Sequence, residues 1–203
     1  MEIPQLKIIR KASFRATPWK NGGGITHEAI RVPLCGDPFR WRVSVAEIDA
    51  SGPFSEFSEH NRKMVLLRGA GIELEFASGR KTTLTQPGQW VEFDGAEATY
   101  CELLNGPCVD LNLMVLKSDR AAVRVEHFLE PLPVSAARGE TTLLSAIDGR
   151  CELKIDGGPT EIMEPWDLAL LSQCAGHLRR LEPVASAAPA AVFLANLKFV
   201  GGE

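Results

Sequence analysis

Lys20, Arg42 and Arg62 are three cationic side chains on three separate early segments of the chain. A guanidinium grips a carboxylate through two parallel N–H···O bonds, and a lysine adds a point charge. If these segments converge, with Asn21, Thr26, Ser44, Ser55, Asp110 and Asn112 supplying further donors and acceptors, the chemistry is recognition of a small carboxylate. A second reading makes Asp110 or Glu28 the internal counter-ion of an arginine, because a buried guanidinium is costly without a partner. A charge-assisted hydrogen bond contributes about 1.5–3 kcal/mol, whereas millimolar affinity needs about 4 kcal/mol. One arginine is therefore too little, and a site needs several convergent groups and apolar walls, for which Trp19, Phe54 and Met114 are available. Taken singly, Trp19, Trp41 and Trp90 read as core residues.

Other chemistries find little support. His27, His60, His127 and His177 are scattered, with no H-x-H or H-E-x-x-H spacing, so no metal and no cofactor are expected. Ser44 and Ser55 lack a G-x-S-x-G context, Cys101 and Cys108 lack a visible base, and no G-K-[ST] follows the glycine triplet. Were the chain an enzyme, Glu28 or Asp110 would be the general base, with Lys20 or Arg42 stabilising negative charge. Cys35, Cys101, Cys108, Cys151 and Cys174 are an odd, widely spaced set that reads as reduced, small buried side chains.

Trp19-Lys20-Asn21-Gly22-Gly23-Gly24 leads from the opening strand to the chemistry. Its glycines permit positive φ and close backbone approach, so it reads either as a plain glycine turn or as the rim of a pocket. In the rim reading Lys20 and Asn21 divide their roles between ligand and fold. The opening strand is expected over Met1 to Ala16. Trp41, Val43 and Val45 alternate with Arg42, Ser44 and Ala46, and Leu111, Leu113 and Val115 alternate with Asp110, Asn112 and Met114. Period-two strands at both places present one apolar and one polar face.

Strands recur after the turns at Gly69-Ala70-Gly71, Ser78-Gly79-Arg80 and Gln86-Pro87-Gly88-Gln89. A second series opens at Val123 to Phe128, turns at Asp148-Gly149 and Asp156-Gly157-Gly158, and ends in a strand over Val192 to Val200 after an Ala/Pro-rich loop, Ala185 to Ala191. The stretch Leu66 to Leu74 is echoed by Ala146 to Leu153. Helical spacing is poor, Ser118 to Val123 being the one short exception. The pattern predicts an all-β chain with two β-barrels, residues 1–122 with the ligand pocket and residues 123–203 as a degenerate copy.

A chain of 203 residues with 45% hydrophobic content, net charge −4 and pI near 5.7 carries no basic, aromatic-interleaved run. Nucleic acid and membrane are therefore not expected as partners, and a small molecule is. Met1 to Arg10 has no apolar signal-like core, so a cytoplasmic location is expected.

Trp19 to Gly24 with Thr26 and Glu28, Trp41-Arg42-Val43-Ser44, Gly52-Pro53-Phe54-Ser55, Arg62, and Gly106-Pro107 with Asp110 to Met114 together resemble the HutD/Ves family. The resemblance covers about the first 115 residues. It implies a bicupin, two cupin units of the RmlC-like superfamily in one chain. It also implies a non-catalytic role in histidine utilisation or stress response, by binding a small carboxylate such as formylglutamate or urocanate. The alternative it leaves is a metal-free cupin isomerase or deformylase-like hydrolase acting on a small carboxylic acid. The implied ligand-binding set is Trp19, Lys20, Asn21, Gly22, Gly23, Thr26, Glu28, Arg42, Ser44, Phe54, Ser55, Arg62, Asp110, Asn112 and Met114. The chain departs from the family at Asn61, where an acidic residue is common, and at Leu116-Lys117, where an arginine is common. Cupins often form homodimers, although no residue pattern here points to one.

Overall fold

A computed structural model of the chain describes residues 5–34, 36–135, 137, 139–155, 160–172, 179–183 and 190–199. Cys35, Cys174, His177, the turn at 156–158 and residues 185–189 of the Ala/Pro-rich segment lie outside the described residues. The described residues are nearly all β, with one 3-10 turn at Lys11–Ser13, and no helix among them is long and apolar enough to cross a membrane.

Two compact units divide the chain, Phe14–Lys117 and Met1–Ser13 together with Ser118–Glu203. The single opening strand expected over Met1 to Ala16 is instead β1 (Gln5–Ile9), the 3-10 turn and β2 (Arg15–Pro18). Only β2 stays with the unit that follows it. β1 pairs antiparallel with β17 (Leu168–Ser172), Ile8 opposite Ala169, and Leu6 and Ile8 pack on the apolar cluster of the second unit. Burial of those side chains draws the first thirteen residues away from the 1–122 grouping read from the sequence.

The first unit continues with β3 (Gly24–Leu34), β4 (Gly36–Ile48), β5 (Gly52–Pro53), β6 (His60–Arg68), β7 (Ile72–Phe76), β8 (Lys81–Leu84), β9 (Trp90–Asp94), β10 (Thr99–Leu103) and β11 (Cys108–Leu116). These form a six-stranded sheet, β2-β3-β4-β11-β6-β9, and a four-stranded sheet, β5-β10-β7-β8. The register sets the site. Along β11, Asp110, Asn112 and Met114 lie opposite Ala46, Ser44 and Arg42 of β4 on one side, and opposite Leu66, Met64 and Arg62 of β6 on the other. Because side chains alternate across a strand, all nine share one face. Toward Met64 and Leu66 that face is closed by Ile72, Leu74, Phe76, Phe93 and Cys101 in one apolar cluster. Toward Ser44, Asn112 and Arg62 the polar side chains begin.

The second unit comprises β12 (Arg120–Phe128), β13 (Leu132–Val134), β14 (Glu140–Asp148), β15 (Cys151–Ile155), β16 (Thr160–Met163), β17, β18 (Arg179–Pro183) and β19 (Ala190–Lys198). Its sheets run β1-β17-β14-β19-β12 and β13-β18-β15-β16. Leu144, Ala146, Leu153, Leu171, Val192 and Leu194 fill its interior. The short helical reading at Ser118 to Val123 is overturned: β12 begins at Arg120 and pairs with β19 through Val123 and Ala195. Six residues cannot offset the cost of starting a helix, whereas a ladder along β19 satisfies their backbone.

Candidate functional site

The polar part of the inner face opens into a cavity of about 600 Å³, within the range of small-ligand sites. β4 brings Arg42, Ser44 and Ala46, β11 brings Asp110, Asn112 and Met114, and β6 brings Arg62. From β3 come Thr26, Glu28 and Arg31. A bulge between Glu28 and Ile30 shifts the register, so that Glu28 faces Ser44 while Arg31 faces Arg42. Without that bulge strict alternation would have put Ile30 on the cavity face.

The rim is made by the glycine segment. Trp19 N and Gly24 O bond at 2.9 Å, Gly22 N reaches Trp19 O at 3.0 Å, and Gly22 has φ 71°. Gly24 is forced by close approach: a Cβ there would lie 2.3 Å from Glu47 O and 3.3 Å from Trp19 Cδ2. Trp19 Nε1 donates to Thr26 Oγ1 at 2.7 Å, and its ring meets Phe54 edge-on at 6.3 Å. Gly23 N donates to Asn21 Oδ1 at 3.0 Å, so Asn21 pins the loop, while Lys20 is exposed at the cavity mouth.

Every sequence-predicted residue except Gly22 and Gly23 lines this cavity; those two belong to the loop that carries Lys20 and Asn21 to it. Ser55 contributes its carbonyl, which accepts from Arg62 NH1 at 3.3 Å. Sequence reasoning missed Arg15, Thr17, Pro18, Arg31, Pro53 and Phe57 as lining residues, and read Ala46 only as part of the β4 alternation. Alternation along β2 points to Arg15 and Thr17 once that strand is separated from β1, but the bulge hides Arg31.

The two candidate counter-ions behave differently. Glu28 is held by Arg15 NH2 at 2.9 Å and lies 3.1 Å from Arg42 Nε, which is at ion-pair distance but lacks hydrogen-bond alignment. Burial lowers the Arg42 pKa, Glu28 opposing and Arg31 and Arg15 reinforcing the shift. Arg62, 6% exposed, forms no ion pair among the described residues. Its guanidinium lies 4.9 Å from Phe93, 5.1 Å from Phe54 and 5.8 Å from Phe57, close enough for cation–π attraction. Burial lowers its pKa to about 10, partly offset by Asp110. Asp110, 2% exposed, is pushed up to about 7 by burial, with Arg62 pulling the other way. Arg62 Nε, Asp110 Oδ1 and Asn112 Oδ1 are buried without hydrogen-bond partners among the described residues.

Cupin barrels often hold a metal, and the residues here do not fit one. Among the described residues no three of His, Cys, Asp and Glu gather as ligands, and the cavity's carboxylates, Glu28 and Asp110, stand among arginines.

Comparison with known proteins bears on the whole chain. The HutD family model matches residues 11–189. The chain belongs to the HutD family. An uncharacterized 21.2 kDa protein in the hutC 3′ region of Pseudomonas putida is 32% identical over 166 residues, covering 81% of this chain and 86% of that one. Protein Ves of Escherichia fergusonii is 35% identical over 109 residues, 53% of this chain and 56% of Ves. Among solved structures, a conserved protein of unknown function from Pseudomonas aeruginosa has 29% identity and a TM-score of 0.84, covering 97% of this chain and 100% of that one. HutD from Pseudomonas fluorescens, solved in a formate condition, has 26% identity and a TM-score of 0.76, covering 96% and 100%. Oxalate decarboxylase of Bacillus subtilis shares only 9% identity at a TM-score of 0.64, which shows the cupin fold alone. HutD and Ves kinship thus stands on sequence, and the all-β cupin architecture on structure.

Proposed function

We propose that this HutD-family bicupin is a non-catalytic binding protein whose first unit takes a small carboxylate metabolite of the formylglutamate or urocanate type, and that occupancy regulates histidine utilisation. One observation carries the reading: Arg62 is buried in the cavity with no ion pair among the described residues, beside Arg42, whose carboxylate partner Glu28 is shared with Arg15. Exposed Arg15 and Lys20 at the rim, with Arg42 and Arg62 deeper in the cavity, outnumber Glu28 and Asp110 on the lining, and an excess of cation favours an entering anion. Trp19, Phe54 and Met114 provide the apolar wall. The HutD relative solved in a formate condition makes formate the natural minimal probe. Titration calorimetry with formylglutamate, urocanate and formate tests the proposal. Binding at or below millimolar Kd, weakened at least tenfold in Arg62→Gln, is the expected result. No heat with any of the three, or unchanged affinity in Arg62→Gln, would refute it.

A second reading is favoured by Asp110, whose buried carboxyl near 7 suits general acid–base work at neutral pH. In that case the chain is a metal-free isomerase or deformylase-like hydrolase acting on the same class of acid. Turnover that disappears in Asp110→Asn while binding persists would establish it. Glu28, engaged by two arginines, is the weaker base candidate.

A further inference from the structure

We infer that the ligand must carry an N–H donor beside its carboxylate, and that Asp110 and Asn112 are the residues that select for it. The inference rests on the carboxylate reading above and narrows it to amide- or ammonium-bearing acids.

Two opposite charges in the cavity fail to meet. Arg62 and Asp110 are both buried in one cavity, at 6% and 2% exposure, yet no contact within 4.0 Å joins them. Two such groups ordinarily collapse into an ion pair, since each otherwise remains desolvated without compensation. The register explains the separation. Arg62 lies opposite Met114, and Asp110 is four residues further along β11, a strand distance of roughly 13 Å between the two backbone positions. Asn112 occupies the floor between them and is itself 5% exposed.

The unmatched atoms have definite polarity. Arg62 Nε is a donor without an acceptor, whereas Asp110 Oδ1 and Asn112 Oδ1 are acceptors without donors. Buried polar atoms in native structures are almost always satisfied, and an orphan within a ligand cavity marks where ligand or ordered water completes the network. A plain carboxylate would answer Arg62 but present more acceptors to Asp110 and Asn112. A molecule with an N–H next to its carboxylate answers both ends of the row. Sites built to hydrogen-bond a ligand N–H discriminate strongly against analogues lacking it, because their own buried groups are then left unpaired.

The floor is also well placed to hold its geometry. Asp110, Asn112 and Met114 lie on a strand paired on both sides, with β4 and β6, so the sheet fixes the backbone that carries the acceptors. Among the described residues of the second unit, the inner cluster is apolar, and Thr142 and Asn196 on the same face hydrogen-bond to each other at 3.0 Å.

The experiment compares formylglutamate with its isostere in which CH₂ replaces the N–H, by calorimetry at pH 8 on the full chain. Formylglutamate binding about tenfold or more tightly than the isostere, with the ratio falling toward one in Asp110→Leu/Asn112→Leu, is the expected result. The ligand comparison on the wild-type chain decides the matter even if the double variant does not fold. Equal affinity for the two ligands, with both weakened in Arg62→Gln, would overturn the donor requirement and leave the carboxylate reading intact. Failure of both to bind also overturns it, and parallel titrations with formate and urocanate then show whether the carboxylate reading falls as well.

Discussion

Replacing Asp110 by Asn should remove most of one pH dependence from the stability of the first unit. The carboxyl ionises near 3.8 when free and near 7 in the fold, because burial outweighs the attraction of Arg62. Between those values the folded chain holds a proton that the unfolded chain has lost. The stability so provided is complete below about pH 4 and is lost as pH rises to 7. At about 1.4 kcal/mol per pKa unit the whole span is worth on the order of 4 kcal/mol, and roughly 3 kcal/mol of it lies between pH 5 and 8. Arg62, titrating near 10, stays charged throughout that window. Urea denaturation followed by tryptophan fluorescence reports mainly on this unit, since three of the four tryptophans, Trp19, Trp41 and Trp90, lie within it, and Trp166→Phe in both proteins removes the signal of the other unit. Comparing wild type with Asp110→Asn at pH 5 and pH 8 cancels the other titrating groups. The wild type should lose about 3 kcal/mol more than the variant over that interval. Equal losses within about 0.5 kcal/mol would refute the idea that Asp110 is a buried acid left without its pair.

Three further outcomes follow from the same geometry. Gly24→Ala should destabilise the first unit by about 3 kcal/mol in denaturant titration, because a Cβ 2.3 Å from Glu47 O forces β3 away from β4. Asn21→Ala should cost about 1 kcal/mol of stability by freeing Gly23 N, whereas Lys20→Ala should leave stability unchanged and weaken anion binding most at low salt in calorimetry. Asp167→Asn should raise hydrogen exchange across β1, because the buried Asp167 carboxylate accepts from Lys11 N at 2.8 Å, Arg10 NH1 at 2.9 Å and Glu164 N at 3.1 Å; unchanged exchange at Lys7 and Ile9 would contradict that.

What could be read from the chain, and what could not, follows from the range of the forces involved. Alternation is local, so the split of Arg42 and Ser44 from Trp41 and Val43, and of Asp110 and Asn112 from Leu111 and Leu113, was visible before any strand was paired. Two such rows of polar side chains, read as neighbours, were enough to anticipate one cavity. A bulge is a property of a pair of strands, so nothing within β3 announced that Arg31 rather than Ile30 would turn inward. The same limit applies to β1, whose partner β17 lies more than 150 residues away, and whose Leu6 and Ile8 fit either unit by pattern alone. The electrostatic outcome lies furthest from the sequence. Arg, Asp and Glu all appear as candidates for mutual neutralisation, and only the register decides that Glu28 reaches Arg42 while Asp110, four residues along the strand from Arg62's level, does not reach Arg62. That displacement is what turns an ordinary pair of opposite charges into two ends of a site. A shift of β6 by two residues toward Asp110 would keep every side chain on its face, bring Arg62 opposite Asn112, and allow the pair to close. The cavity would then retain its walls and lose its reason to hold an anion.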